Sequence, residues 1–210
     1  IRSIQNRTDS GRKESSWSSS FAGGLGRFDF KGHTRNLNWQ ANTSFSEDGK
    51  RKSVVEYFDG GLFSRQTVTK DNSTNTTVVA ENIYDYQGRP VIQVLPAPTL
   101  NSIIQYTQNF NTGLNGNAYD RDNFDLLLNP AAYCSAIPEP MDTLTGASQY
   151  YSTNNPLKNT GFHKYIPDAK GYPFTQVEYT PDNTGRVSRK SGVGPAFRLG
   201  SGHEIKYSYG

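Results

Sequence analysis

The chain of 210 residues holds one cysteine and one methionine. Cys134, in AAYCSA, has no partner for an internal disulfide, so cysteine pairing says nothing about the redox compartment. No apolar run approaches the roughly 18 residues that a membrane-spanning helix requires, and no stretch has the pattern of a signal peptide. Charge of one sign is also missing as a block. The 22 basic and 19 acidic residues are interspersed, so a net charge of +3 leaves no footprint for nucleic acid or for a membrane surface. Hydrophobic residues make up only 33%, below the globular norm of roughly 45–50% that counts Gly as apolar. What the chain does have is 12% aromatics and 20 glycines. That balance points to a mainly β structure rich in turns.

Alternation supplies the strands. LNWQANTSF places Leu37, Trp39, Ala41 and Phe45 on one face and polar residues on the other, the pattern of a half-buried strand. SEDGKRK then gives an Asp-Gly hairpin turn, and SVVEYF, FSRQTVT and TVVAENIYDY follow as strands separated by DGGL and DNSTNT. Residues 37–100 are therefore expected to form a β meander that LPAPT ends, since its prolines cannot donate to a ladder. Residues 1–36 are linker-like or hold strands too irregular to see, with a turn at Asp9–Arg12. Residues 101–165 form an irregular insertion with one or two short helices, for which Asp122 and Asp142 are the expected caps. Residues 166–210 return to β hairpins through TQVEYT and HEIKYSY. A start at Ile1 and a last strand, KYSYG, without its continuation mark the chain as a piece of something longer.

Sites of chemistry are weak. His33, His163 and His203 stand far apart, and none has a second ligand at metal spacing. Cys134 with His163 lacks any local nucleophile signature and reads as a buried small hydrophobe. Asp120, Asp122 and Asp125 lack the Gly and Glu of a calcium loop, so helix capping and exposure explain them better. AGGLGRF and SGVGPAFRLGSG lack the Lys-Ser/Thr ending of a phosphate loop. The sequons at Asn6, Asn42, Asn72 and Asn75 would matter in a eukaryotic secreted protein. No catalytic residue, cofactor or metal is expected. A face of aromatics such as Trp39, Tyr57 and Tyr84 offers an adhesive or glycan-binding alternative, though on alternating strands such residues are more often core.

One unit recurs. Asp-x-x-Gly stands at Asp85–Gly88 before Arg89, at Asp168–Gly171 before Tyr172, and at Asp182–Gly185 before Arg186; YFDGGLFSRQTV is a looser relative. An Asp that accepts from main-chain donors two residues on, and a Gly at positive φ, together make a tight reversal. Tyr84 and Val91, or Tyr179 and Val187, then fall on paired strands.

YDYQGRPV resembles the tyrosine-aspartate (YD) unit of RHS-type proteins, which runs Tyr-Asp, two variable residues, Gly-Arg and an apolar position. YTPDNTGRVSRKSG is similar to a second unit, its Tyr179 displaced from Asp182. The longer runs RQTVTKDNSTNTTVVAENIYDYQGRPVIQVLPAPTL, GFHKYIPDAKGYPFTQVEYTPDNTGRVSRKSGVGPAF and LGSGHEIKYSYG look like the stretch ahead of the repeat array in very large RHS/YD proteins of Bacteroidota. The resemblance implies an antiparallel hairpin ribbon that spirals into a β shell around a C-terminal toxin. It also implies export by the type IX machinery and a secreted or cell-surface location. The expected partners are then the rest of the same polypeptide and that machinery. The insertion departs from a regular array, and a plug, a cap and a docking surface remain open for it.

Overall fold

In a computed structural model, residues 4–5, 13–14, 36–45, 51–71, 74, 76–124 and 137–210 are described. The turns expected at 9–12 and 46–50, the glycines at 22–28, His33, Asp125, Cys134 and the sequons at Asn6, Asn72 and Asn75 lie outside them. The chain divides into Ile1–Gly32 and His33–Gly210. In the first unit β1 (Ile4–Gln5) pairs antiparallel with β2 (Lys13–Glu14).

The second unit is built on one antiparallel sheet, so the fold is mainly β. Its strands are β3 (Asn38–Phe45), β4 (Arg51–Phe58), β5 (Ser64–Asp71), β6 (Thr76–Tyr84), β7 (Pro90–Val94), β8 (Ala97–Thr99), β9 (Phe174–Tyr179), β10 (Val187–Lys190) and β11 (Ile205–Lys206). The order across the sheet is β11-β10-β9-β7-β6-β5-β4-β3, with β8 also on β6. Strand pairing does not stop at LPAPT. After Pro96 the chain runs on along the same edge of β6, with Ala97 opposite Val79 and Thr99 opposite Thr77. β7 ends at Val94, and pairing to β6 resumes at Ala97 with Pro98 opposite Val78.

Register puts the apolar residues on one face. Val55 lies opposite Val68, Val68 opposite Val79, Ile83 opposite Ile92 and Val94 opposite Phe174. The chain between β8 and β9 covers this face with Phe110, Tyr119, Met141, Ala147 and Tyr150. Each large side chain buried this way stabilises the fold by roughly 1.5–3 kcal/mol. β3 differs from expectation: all eight of its residues are exposed, Trp39 and Phe45 included. It is the edge strand, and the cover over the central strands leaves it bare.

Among the described residues the helical elements are short: α1 (Gly146–Tyr150) and two 3-10 turns, Arg121–Asn123 and Gly161–Tyr165. The expected caps are replaced by others. Asp120, two residues before Asp122, caps the first 3-10 turn: its carboxylate accepts from Asp122 N at 3.0 Å, and Asn123 Oδ1 accepts from Asp120 N at 3.0 Å. Asp142 instead accepts from Leu144 N, and the α1 donor at Ala147 N is met from outside the helix by Asn111 Oδ1 at 2.9 Å. No helix of the described residues is long and apolar enough to cross a membrane.

Candidate functional site

Antiparallel order brings the turns 59–63, 85–89 and 180–186 to one rim of the sheet. In the second turn, Asp85 N donates to Arg89 O and Gly88 N to Asp85 O, both at 3.0 Å. The Asp85 carboxylate accepts from Gln87 N (2.9 Å), Arg89 N (2.8 Å) and Arg89 Nε (2.7 Å) while only 7% exposed. Gly88 sits at φ +75°, and a Cβ there would lie 2.8 Å from the Phe63 ring. Glycine is therefore required twice, for its backbone and for the neighbouring turn packed against it.

The turn at Asp59 repeats this wiring. Its carboxylate accepts from Gly61 N (2.9 Å), Phe63 N (3.0 Å) and Arg65 Nε (2.7 Å), and Leu62 N donates to Asp59 O at 3.0 Å. Leu62, at φ 61°, takes the place of Gly88. Burial raises the Asp59 carboxyl, but the Phe63 amide and Arg65 lower it further, leaving it below the ordinary carboxylate range. The arginine stands two residues later than in the Asp85 turn. That shift hides the likeness from a comparison by spelling.

The third turn keeps the spelling and changes the wiring. Thr180, next to Tyr179, closes the loop by donating its N–H to Arg186 O at 2.8 Å. Asp182 sits at the tip, where its carboxylate accepts from Thr180 Oγ1 (2.5 Å), Thr184 Oγ1 (2.7 Å) and Thr184 N (3.1 Å). The two threonine hydroxyls lead in pulling it down to about 2. Asn183 and Gly185 supply the positive φ. Tyr179 faces Val187 across the hairpin, whereas a bulge sets Tyr84 against Pro90 and not Val91. Asp168–Gly171 is different again. Asp168 Oδ1 accepts from Lys170 N at 2.8 Å and Gly171 has φ +84°, but this turn joins no two strands; Gly171 O accepts from Met141 N at 2.8 Å.

Across the strands the turns are linked by tyrosines. Tyr84 OH donates to Ser64 O at 3.1 Å, Tyr179 OH to Pro90 O at 2.8 Å and Tyr209 OH to Val187 O at 2.9 Å. Each acceptor is the fifth residue after Asp59, Asp85 or Asp182. Over each ring lies the preceding turn's guanidinium: Arg65 at 5.3 Å from the Tyr84 centroid, Arg89 at 4.3 Å from Tyr179 and Arg186 at 5.2 Å from Tyr209. Burial raises the Tyr84 and Tyr179 hydroxyls, keeping them protonated donors. The rim is thus a directional ladder in which one turn's arginine and carbonyl receive the next turn's tyrosine. Of the sequence-picked residues it unites Tyr84, Asp85, Gly88, Arg89, Tyr179, Gly185 and Arg186, with Asp182 at one tip, and leaves out Asp168 and Gly171. Sequence reading missed Arg65, Phe63, Thr180 and Tyr209. Alignment on the aromatic before each turn (Phe58, Tyr84, Tyr179) would have set Phe63, Arg65 and Thr180 among the turn residues.

Beneath the rim, residues 106–111 are pinned to the sheet through Glu81. Its carboxylate accepts from Gln66 Nε2 (2.7 Å) and Asn111 Nδ2 (2.6 Å), while Gln66 Oε1 accepts from Thr107 N at 2.8 Å. Burial raises the Glu81 carboxyl above its ordinary range. A cleft of about 290 Å³ opens beside it, walled by Tyr57, Arg65, Tyr106 and Asp120. Tyr57 is fully buried and packs edge-on to Tyr106 at 5.5 Å, so Trp39, Tyr57 and Tyr84 do not share one open face. Among the described residues no group of three His, Cys, Asp or Glu could hold a metal ion.

Compared with family models, curated proteins and solved structures, the chain gives no match.

Proposed function

We propose that the chain is a non-catalytic structural segment of a large secreted RHS/YD-repeat protein, in which its hairpins help to build a β shell that encloses and delivers a C-terminal toxin. The observation that supports this reading is the recurrence of one rung, tyrosine hydroxyl to carbonyl with arginine over the ring, at three successive turns. A rung that hands on to the next turn in one direction suits an array that grows by adding hairpins, and it gives Tyr, Asp, Gly and Arg structural duties. The partners on this reading are the remaining repeats, the enclosed toxin and the type IX export machinery, and the protein acts outside the cell.

Limited proteolysis of the parent polypeptide tests it. The C-terminal region should resist digestion until the repeat region unfolds, and the Asp59→Ala/Asp85→Ala pair should bring that unfolding to lower denaturant. A C-terminal region cut as fast in the parent as in isolation would overturn the shell.

A further inference from the structure

The sheet ends on one side at β3, and among the described residues no strand lies beyond it. All eight residues of β3 are exposed, and its register with β4 runs unbroken from Asn38 to Phe45. Alternate residues of such a strand turn their main-chain N–H and C=O outward, where they template another strand unless something prevents it. Open edges are ordinarily guarded by charge, proline, a bulge or extreme shortness. The opposite edge shows two of these devices, since β11 is two residues long and carries Lys206.

β3 has none of them. It reads NWQANTSF, whereas the other long strands, β4, β5, β6 and β9, each carry at least one charge. The edge where charge would guard most is the one long strand without it. Neutrality also says what fits there: an uncharged strand can meet a copy of itself without setting like charges opposite one another.

We infer that β3 pairs antiparallel with β3 of a second copy of this chain, about a two-fold axis through Asn42. Trp39 and Ala41 lie opposite Tyr57 and Val55, so the odd-numbered residues of β3 stand on the core face. Residues directly opposite in a ladder share a face, so pairing odd with odd keeps the insertions of both copies on one side of a continuous sheet. With Asn42 opposite Asn42 of the second copy, Ala41 meets Thr43, Gln40 meets Ser44 and Trp39 meets Phe45, an aromatic pair made twice. Phe45, 76% exposed, gains a neighbour there. A register centred on Ala41 would set Trp39 against Thr43 and lose both aromatic pairs. Each copy has one such edge, so the assembly closes at two and does not grow into a fibre. One strand a side is small for an interface, which makes the dimer weak, with Kd on the order of 10–100 μM. This inference does not depend on the shell reading.

Sedimentation velocity on the intact chain, from roughly 1 to 300 μM, tests it. Monomer should give way to dimer as concentration rises, and to nothing larger. Asn42→Lys and Asn42→Asp each bring like charges together at the axis, and each should weaken the dimer roughly tenfold or more. Mixed in equal amounts, the two variants should recover the dimer, because opposite charges then meet; recovery also shows that both variants fold. A wild-type chain that stays monomeric, assemblies that grow beyond two, dimers indifferent to both variants, or a mixture that remains monomeric would each overturn the inference.

Discussion

The turns at Asp85 and Asp182 are spelled alike and built differently. At Asp85 the carboxylate is buried and holds its own turn and its own arginine; at Asp182 it stands at an exposed tip, held by two threonines, while Thr180 closes the loop. Between Asp59 and Asp85 the reverse holds, with different spelling and the same wiring. What stays constant across all three is the tyrosine of the next strand beneath the arginine. The repeat is therefore defined by what passes between strands, and the turn itself is free to vary.

The largest expected effect comes from the buried carboxylate. Asp85→Ala leaves Arg89 and two main-chain donors without an acceptor and should cost about 3 kcal/mol in urea denaturation. A loss no greater than that of Asp182→Ala would erase the distinction between the two turns. Next come the glycines. Gly88→Ala meets both a positive φ and the Phe63 ring and should cost about 2 kcal/mol, whereas Gly185→Ala, with open space around it, should cost about 1 kcal/mol. Equal losses would mean that Phe63 simply moves aside. Tyr179→Phe keeps the ring under Arg89 and removes only the bond to Pro90 O, for a loss of about 1 kcal/mol, and Tyr84→Phe should match it if the rungs are equivalent.

The smallest effects are in pH, and they run in opposite directions. Asp182 is lowered to about 2, so its contribution is present above its unfolded value and is lost as pH falls through about 2. Glu81 is raised by burial, so its contribution is full below its unfolded value and is lost as pH rises through its folded one. Carbon NMR titration of both carboxyls should show displacements of opposite sign, and Glu81→Gln should flatten the loss of stability on the rising side. Displacements of the same sign would refute the assignment.

The strands were legible from Leu37 onward because alternation records which face is buried, and the hairpin turns because Asp and Gly have few other uses there. β3 was misread as half-buried since alternation reports a residue's chemistry, and whether anything covers that face is settled by a distant insertion. The Asp59 turn was underrated because its arginine lies two positions further on, and Asp168 overrated because an Asp and a Gly matching in spacing carry no strand pairing. Asn111 as the acceptor for the first turn of α1, and Glu81 as the anchor of the crossing segment, join residues far apart in sequence. Nothing local marks such pairs.

The seam between β7 and β9 bears on how the sheet assembles. Every other neighbouring pair in it is joined by a short or moderate connection, but Val94 meets Phe174 only after the whole insertion has been traversed, and closing so long a loop costs the most chain entropy. The hairpins on either side can zip up early and independently, leaving this seam to close last. Pulsed hydrogen exchange during refolding should then show Ile83 and Val68 protected before Leu95, whose amide donates across the seam to Pro173 O, and simultaneous protection would mean that the two halves never exist apart.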